Sequence, residues 1–268
     1  MSVGPGSIGK SLKSGWAQTC MGSTYKTIIF DVNGTLLGYE DPLGFEKRFA
    51  AACQDLGAQV GPDDVQRAMA IVVQQWSERK QTGNRRASSG EQYRRTMTWF
   101  YQTLLTALGV PGDSGQQADS LYERFIIREG FMPPFSEVRE TLARLRARGL
   151  RLGILSNFPP HCEDTLKCHG LHGYFDFFVV SSLVGLEKPD PAIFELAIEK
   201  AGCPRDKILY VGDDLYDDIR GARSVGLATI LTDRHNRWPE ADCLRIKSLS
   251  ELLSPGFLGI SPFQIRDV

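Results

Sequence analysis

The spacing of hydrophobic residues changes along the chain and predicts two kinds of structure. The short apolar run Thr27–Phe30 ends at Asp31 and predicts a buried strand. From about residue 41 to residue 131, the apolar positions instead recur every three or four residues. That period is typical of amphipathic helices, so this segment is predicted to form an all-helical subdomain.

After Pro133 and Pro134, apolar runs alternate with helical patterns. The predicted helices are 137–148, 162–168, 191–201, 217–225 and 249–253, and the predicted strands are 150–155, 177–180, 207–211, 228–231 and about 244–246. Alternation of this kind favours a parallel sheet with helices on both faces. We therefore predict an α/β fold with a Rossmann-like parallel sheet, and the all-helical subdomain inserted after its first strand.

The same patterns predict the domain boundaries. The α/β core domain is expected to comprise residues 25–40 and 132–254, and the helical subdomain to comprise residues 41–131. Residues 1–24 are rich in Gly, Ser and Lys and are predicted to be a disordered tail. Residues 255–268 are predicted to form a loose C-terminal tail.

Polar residues follow several of the predicted strands. Asp31 ends the first strand, Ser156 and Asn157 end a second, and Asp213 and Asp214 end a third. Because ligands bind beyond the carboxyl ends of parallel strands, these side chains are expected to converge on one site. Clustered carboxylates repel one another, and Mg²⁺ with its preference for oxygen ligands would relieve that repulsion.

Composition narrows the class of protein. The net charge is −1, which gives no reason to expect nucleic acid or an acidic membrane as a partner. No apolar run approaches the length that crosses a bilayer. The six cysteines form no Cys-x-x-Cys pair, and no signal segment is recognisable, so we expect reduced thiols and a cytoplasmic protein. We expect a monomer or a dimer.

Four segments, taken in order, resemble the motifs of the haloacid dehalogenase-like superfamily. They are Phe-Asp-Val-Asn-Gly-Thr-Leu at 30–36, Leu-Ser-Asn at 155–157, Gly-Leu-Glu-Lys-Pro-Asp-Pro at 185–191, and a Val-Gly-Asp-Asp segment that continues through 211–226. The helical segment after the first motif resembles the helical cap of that superfamily. Any one motif is weak by itself, whereas all four at fitting spacing make a specific signal.

The resemblance implies roles for individual residues. Asp31 resembles the nucleophile, which would form an aspartyl-phosphate. Mg²⁺ would be held by Asp31, the main-chain carbonyl of Asn33 and Asp213, with Asp214 or Asp218 as a further ligand or outer partner. The residues expected to bind the phosphoryl group are Thr35, Ser156, Asn157 and Lys188.

Asn33 departs from the pattern of the superfamily's phosphatases, which carry an aspartate at this position. That aspartate protonates the leaving oxygen and then activates water. An amide cannot transfer protons in this way, and general acid–base catalysis contributes roughly 10²–10⁴-fold to a rate. Glu40 and Asp41, on the stretch that enters the cap, are candidates for a substitute.

The resemblance favours a Mg²⁺-dependent phosphatase that hydrolyses a small phosphorylated metabolite and is weakened by Asn33. A second reading is a catalytically impaired protein that binds a phosphorylated ligand or a protein partner. A third is a 2-haloacid dehalogenase-type hydrolase, because halide displacement needs no acid for the leaving group. The acidic pair Asp213 and Asp214 argues against this third reading, since the pattern of the superfamily's dehalogenases has neutral residues in this motif.

Overall fold

The computed structural model describes residues 25–81, 90–128, 132–255 and 257–258. The predicted N-terminal tail, residues 1–24, lies outside these residues, as does most of the predicted C-terminal tail.

A six-stranded parallel sheet forms the centre of the core domain. Its strands are β1 (Thr27–Phe30), β2 (Arg151–Ser156), β3 (Phe177–Val180), β4 (Ile208–Gly212), β5 (Ala228–Thr232) and β6 (Arg245–Ile246). Their order is β3-β2-β1-β4-β5-β6, so β1 lies between β2 and β4. Phe30 pairs with Ile154 on one side and Val211 on the other, which brings the carboxyl ends of three strands level.

Among the described residues, four helices follow β1 and form the cap. They are α1 (Gly44–Asp55), α2 (Pro62–Gln81), α3 (Gly90–Ala107) and α4 (Ser114–Tyr122), and a π-helical segment, Glu123–Arg128, continues the last of them. The cap has its own hydrophobic cluster, in which Phe49 stacks on Tyr101 with ring centroids 6.0 Å apart. Asp113 begins α4, and its carboxylate accepts hydrogen bonds from two main-chain amides of the first turn.

Helices cover both faces of the sheet, as predicted. They are α5 (Val138–Ala147), α6 (Cys162–Cys168), α7 (Ser181–Val184), α8 (Pro191–Ala201) and α9 (Gly221–Ser224). Side chains alternate along β1: Ile28 and Phe30 join a cluster with α5 and α6, whereas Ile29 joins a cluster with α8 and α9. The α/β class, the parallel sheet and the inserted helical cap are therefore confirmed.

Some element ends differ from the predicted ones. The strands β2 and β4 extend one residue further, so that Ser156 and Gly212 belong to the sheet. The predicted helix 217–225 begins earlier, as a π-helical segment at Leu215–Arg220 that continues into α9. Its start is set by the carboxylate of Asp214, which accepts hydrogen bonds from the first main-chain amides.

The chain crosses between core and cap at two adjacent segments. Gly38 donates its amide to the Pro133 carbonyl (2.8 Å), and Phe135 donates to the Leu36 carbonyl (3.1 Å). The cap and the sheet have separate hydrophobic clusters, which supports the division that we propose between core (25–40 and 132–254) and cap (41–131). None of the described helices is long and apolar enough to span a membrane.

Candidate active site

Asp31 lies at the centre of the edge where β1, β2 and β4 end. Its amide donates to the Val211 carbonyl (2.9 Å), which continues the β1–β4 ladder by one residue. Its Oδ1 accepts hydrogen bonds from the Ser156 hydroxyl (2.9 Å) and from Lys188 Nζ (2.7 Å). All three side chains are buried. The structure thus brings together three predicted site residues from three separate segments.

Lys188 connects Asp31 to Asp218. Its ammonium also donates to Asp218 Oδ1 and to the Tyr210 hydroxyl (3.2 Å). Burial by itself would lower the pKa of Lys188, but the carboxylates of Asp218 and Asp31 outweigh burial and raise it. The lysine therefore stays charged, because leaving two buried carboxylates without a cation would be costly.

Asp218 is held from four directions. Its Oδ1 accepts from Lys188 and from the Tyr210 hydroxyl (2.8 Å), and its Oδ2 accepts from the amides of Asp213 and Asp214 (3.0 Å each). A carboxylate offers about four lone-pair positions, and these bonds use all of them. Asp218 is thereby suited to orient the loop that follows β4.

Asp31, Asp213 and Asp218 form an acidic cluster whose ligand oxygens lie within 4.8 Å of one another. Burial raises the pKa of Asp31 to about 6, although Lys188 lowers it. Burial, together with the charges of Asp31 and Asp218, raises the pKa of Asp213 well above its usual range. Burial is the largest cause of both shifts, and the neighbouring carboxylates add to it. A hard divalent cation, which favours oxygen ligands and the ionised form of these groups, fits this donor set.

Gly34 lies directly against this cluster. Its φ of +78° is in the left-handed region, where a side chain is strained. A Cβ built there would lie 2.2 Å from Asp213 Oδ2, so the glycine lets the chain pass close to the carboxylate. The neighbouring Asn33 has its Oδ1 buried with no hydrogen-bond partner among the described residues. An unpaired buried amide oxygen is costly unless a ligand or solvent group meets it.

Asn157 and Asp214 make contacts within the protein that the sequence analysis did not predict, and their roles at the site stay predictions. Asn157 was predicted to bind the phosphoryl group, but its amide donates to the Lys188 carbonyl (3.0 Å) and accepts from the Lys188 amide (2.8 Å). It therefore positions the main chain of Lys188. Asp214 was predicted as a possible metal ligand, but its Oδ1 accepts from the amides of Tyr216 (2.8 Å) and Asp217 (2.7 Å), and it is not part of the acidic cluster.

Thr35 is fully buried, and its hydroxyl pairs with that of Thr232 (3.3 Å). This contact ties the loop after β1 to the end of β5, and the binding of phosphate by Thr35 stays a prediction. Glu40, considered as a substitute acid or base, accepts hydrogen bonds from the amide and the hydroxyl of Ser136 (both 2.9 Å). Its carboxylate therefore joins the two crossings between core and cap.

Several site residues were missed by the sequence analysis. Tyr210 points from β4 into the Lys188–Asp218 pair, Trp238 donates its indole N–H to the Asp213 carbonyl (3.2 Å), and Arg237 Nη1 lies 3.4 Å from Asp213 Oδ2. Tyr210 looks like an ordinary strand residue, and the other two lie beyond the last motif. Only the fold brings them to the site.

A cavity of about 730 Å³ opens between this site and the cap. It is lined by Asn33, Gly34, Gly38, Tyr39, Asp41 and Pro42 after β1, by Phe45, Glu46, Met69, Val72, Met97 and Phe100 of the cap helices, by Met132 and Phe135 on the return, and by Asp213, Thr232, Asp233, Arg234, His235 and Arg237. Asp41, the other candidate acid or base, is among these residues. Because Asn33 and Asp213 also line it, the cavity borders the edge of the core that carries the acidic cluster.

Comparison with known proteins agrees with this architecture. The family model described as haloacid dehalogenase-like hydrolase matches residues 25–226, which include both the acidic cluster and Lys188. The chain belongs to the haloacid dehalogenase-like hydrolase family.

The proteins similar to this hydrolase include a phosphatase and a dehalogenase. Haloacid dehalogenase-like hydrolase domain-containing protein 3 of Danio rerio is 31% identical over 209 residues, covering 77% of this chain and 84% of the relative. Glyceraldehyde 3-phosphate phosphatase of Methanothermobacter thermautotrophicus is 29% identical over 220 residues, covering 81% and 89%. A solved L-2-haloacid dehalogenase is similar with a TM-score of 0.64 and 26% identity, covering 86% of this chain and 98% of that chain.

Proposed function

We propose that this hydrolase is a Mg²⁺-dependent phosphatase that acts on a small phosphomonoester through an aspartyl-phosphate on Asp31. The observation that carries the proposal is that Asp31 contacts Lys188 and also belongs to the acidic cluster. Lys188 and Ser156 hold Oδ1 of Asp31, which leaves Oδ2 for attack on phosphorus. Phosphatases among the relatives, such as the glyceraldehyde 3-phosphate phosphatase, support this reading.

The metal ligands that we propose are Asp31, Asp213 and the main-chain carbonyl of Asn33. Asp218 is assigned an outer role, because its lone pairs are already used by Lys188 and by protein hydrogen-bond donors. When bound, Mg²⁺ would offset the negative charge of the phosphoryl group and of the carboxylates around it. The rest of the chemistry falls to the chain's own side chains.

Two displacements at phosphorus complete the proposed reaction. A carboxylate oxygen of Asp31 attacks phosphorus, the bond to the ester oxygen breaks, and the leaving oxygen departs with the electron pair. Water then attacks the aspartyl-phosphate, the bond between phosphorus and Asp31 breaks, and inorganic phosphate is released. Lys188 keeps Asp31 ionised before the first step and holds its side chain in place, since it contacts the carboxylate directly.

Asn33 makes both displacements harder. It can donate a hydrogen bond to the leaving oxygen and to the attacking water, but it can neither give up nor take a proton. The first step then depends on the leaving group, and the second step loses a general base worth roughly 10²–10⁴-fold. We therefore expect slow turnover, with accumulation of the aspartyl-phosphate on Asp31.

The dehalogenase alternative is supported by Asn33 and by the similarity to a solved L-2-haloacid dehalogenase. The half-buried carboxylate of Asp213 argues against it, because a further negative charge beside Asp31 gives nothing to a halide leaving group. A cation between these carboxylates and a phosphoryl group suits the site better. For the impaired binding protein, the same residues would hold a phosphorylated ligand without turnover.

The decisive experiment is hydrolysis of p-nitrophenyl phosphate with Mg²⁺ and with EDTA, using wild type, Asn33→Asp and Asp31→Asn. We expect slow, Mg²⁺-dependent turnover by wild type, an increase of about 10²-fold or more for Asn33→Asp, and none for Asp31→Asn. Rapid mixing should show a burst of one p-nitrophenolate per site in wild type and a smaller burst in Asn33→Asp. If Asn33→Asp is also inactive, the phosphatase proposal fails, and 2-haloacids should be tested next.

A further inference from the structure

The cap contributes an apolar wall to the cavity beside the proposed site. Five cap side chains form this wall: Phe45, Met69, Val72, Met97 and Phe100. The rings of Phe45 and Phe100 lie with centroids 6.1 Å apart, and both side chains, like Met69, are only partly buried. A sugar or amino acid held there would leave polar groups without hydrogen-bond partners, whereas an apolar group would be favoured.

Charged residues around the cavity are largely matched by other protein groups. Asp41 pairs with Lys47, and Arg234 pairs with Glu137 (2.7 Å). Arg237 lies beside Asp213, at the phosphate end of the cavity. Glu46 is the one charged side chain that the described cap helices add to the lining, and its negative charge disfavours a second anionic group on the substrate.

Asn33 restricts which leaving groups the substrate can have. It lines the same cavity beside Gly34 and Asp213, and it stands where the superfamily's phosphatases carry the aspartate that protonates the ester oxygen. Because an amide does not protonate that oxygen, the leaving group must be stable as an anion. Phenolates meet this requirement, whereas the alkoxides of sugars and of serine do not.

We propose that the preferred substrates are apolar aryl phosphates, a class that combines a weakly basic leaving oxygen with an apolar body. This inference rests on the proposed phosphatase function. The phosphorus–oxygen bond to the ring breaks with its electron pair on the phenolate, which takes a proton from solvent. Water then cleaves the aspartyl-phosphate, so that each aryl phosphate and one water yield a phenol and inorganic phosphate.

Matched substrates distinguish the requirement for a weakly basic leaving oxygen from the requirement for an apolar body. 4-Ethylphenyl phosphate and O-phosphotyrosine share a phenolic leaving group and differ in the charged amino-acid portion. We expect kcat/KM to be about tenfold higher for 4-ethylphenyl phosphate, because its ethyl group meets the apolar wall. 4-Ethylbenzyl phosphate keeps the apolar body but must release an alkoxide. We expect its kcat/KM to be at least about 10²-fold lower than that of 4-ethylphenyl phosphate.

A variant pair on one helix tests whether the apolar wall is the cause. Met69→Gln places an amide in the cavity wall with little change of shape and should lower the preference for 4-ethylphenyl phosphate over O-phosphotyrosine several-fold. Ile71→Gln is the matched control, because Ile71 is on the same helix but is 47% exposed and does not line the cavity. Its preference should equal that of wild type.

Acetyl phosphate, which is small and activated, separates this proposal from the function it rests on. If acetyl phosphate is hydrolysed by wild type but not by Asp31→Asn, while 4-ethylphenyl phosphate is no better than O-phosphotyrosine, the aryl phosphate proposal is wrong and the phosphatase stands. If Met69→Gln and Ile71→Gln have the same effect, the apolar wall does not select the substrate. If none of these compounds is hydrolysed, both proposals fail together.

Discussion

Gly34 shows how one missing methyl group shapes the site. Its positive φ and its close approach to Asp213 are separate reasons why position 34 needs a glycine. Gly57 shares the first reason but not the second. Gly57 has a φ of +87° but no atom within 4 Å of a built Cβ. An alanine at either position strains the backbone by roughly 1–2 kcal/mol, but only at position 34 does it collide with a proposed metal ligand.

We therefore predict that Gly34→Ala lowers Mg²⁺-dependent turnover of p-nitrophenyl phosphate by about 10²-fold, since displacements of about 1 Å at a reacting centre have effects of that size. Gly57→Ala should lose similar thermal stability and keep wild-type turnover. Steady-state kinetics and thermal unfolding of both variants provide the measurement. Equal activity of the two variants would show that Asp213 tolerates the displacement.

At the scale of elements, Glu137 joins the start of α5 to two distant segments. Its Oε1 accepts from Arg234 Nη1 (2.7 Å) and from the Leu249 amide (3.1 Å). Burial opposes ionisation of this carboxyl, but the hydrogen bonds and the charge of Arg234 outweigh burial and lower its pKa from 4.5. The ionised form is therefore favoured in the folded state.

A lowered pKa has a definite consequence for stability. The contribution of Glu137 is fully present above about pH 4.5 and is lost as the pH falls through the lower pKa of the folded state. We predict that Glu137→Gln lowers the free energy of unfolding by about 1.5–3 kcal/mol at pH 7. In urea titrations, the difference from wild type should shrink as the pH falls below about 4.5.

Glu140→Gln is the control for this prediction, because Glu140 is an exposed partner of Arg144 on the same helix. Its loss should stay under about 1 kcal/mol at neutral pH. A Glu137→Gln difference that stays constant from pH 7 down to pH 3 would mean that the contact contributes through packing and not through charge.

At the scale of the whole molecule, metal binding should stabilise the folded protein. The acidic cluster is assembled from the ends of β1 and β4 and the following π-helical segment, so it forms only when the sheet is folded. A ligand that binds only the folded state raises stability by about 1.4 kcal/mol at ten times its dissociation constant. We predict a rise of melting temperature with Mg²⁺ concentration in wild type.

Substitutions at Asp213 and Asp214 distinguish the proposed metal ligand, Asp213, from the adjacent helix N-cap, Asp214. Asp213→Asn should abolish the Mg²⁺-dependent rise, whereas Asp214→Asn should keep it, because asparagine also serves as a helix N-cap. Thermal unfolding with Mg²⁺ or EDTA is the measurement. Loss of the rise in Asp214→Asn but not in Asp213→Asn would reverse our assignment of these residues.

Periodicity and motif order were sufficient for the α/β class, the inserted helical cap and the position of Asp31 at the end of β1. Those features depend on local spacing: the period of apolar residues selects helix or strand, and parallel strands bring their carboxyl ends to one edge. For the same reason, several predicted element bounds, such as Phe177–Val180 and Pro191–Ala201, agree with the structure.

Only the tertiary structure decided which hydrogen-bond partners the polar side chains have. The motifs contain Asn157, Thr35 and Asp214, but they do not show that these side chains contact Lys188, Thr232 and a helix start. Conversely, Tyr210 and Arg237 carry no motif and still contact the acidic cluster. A motif specifies residue type and spacing along the chain, whereas hydrogen-bond partners depend on which distant segments the packed sheet and cap bring within about 3 Å.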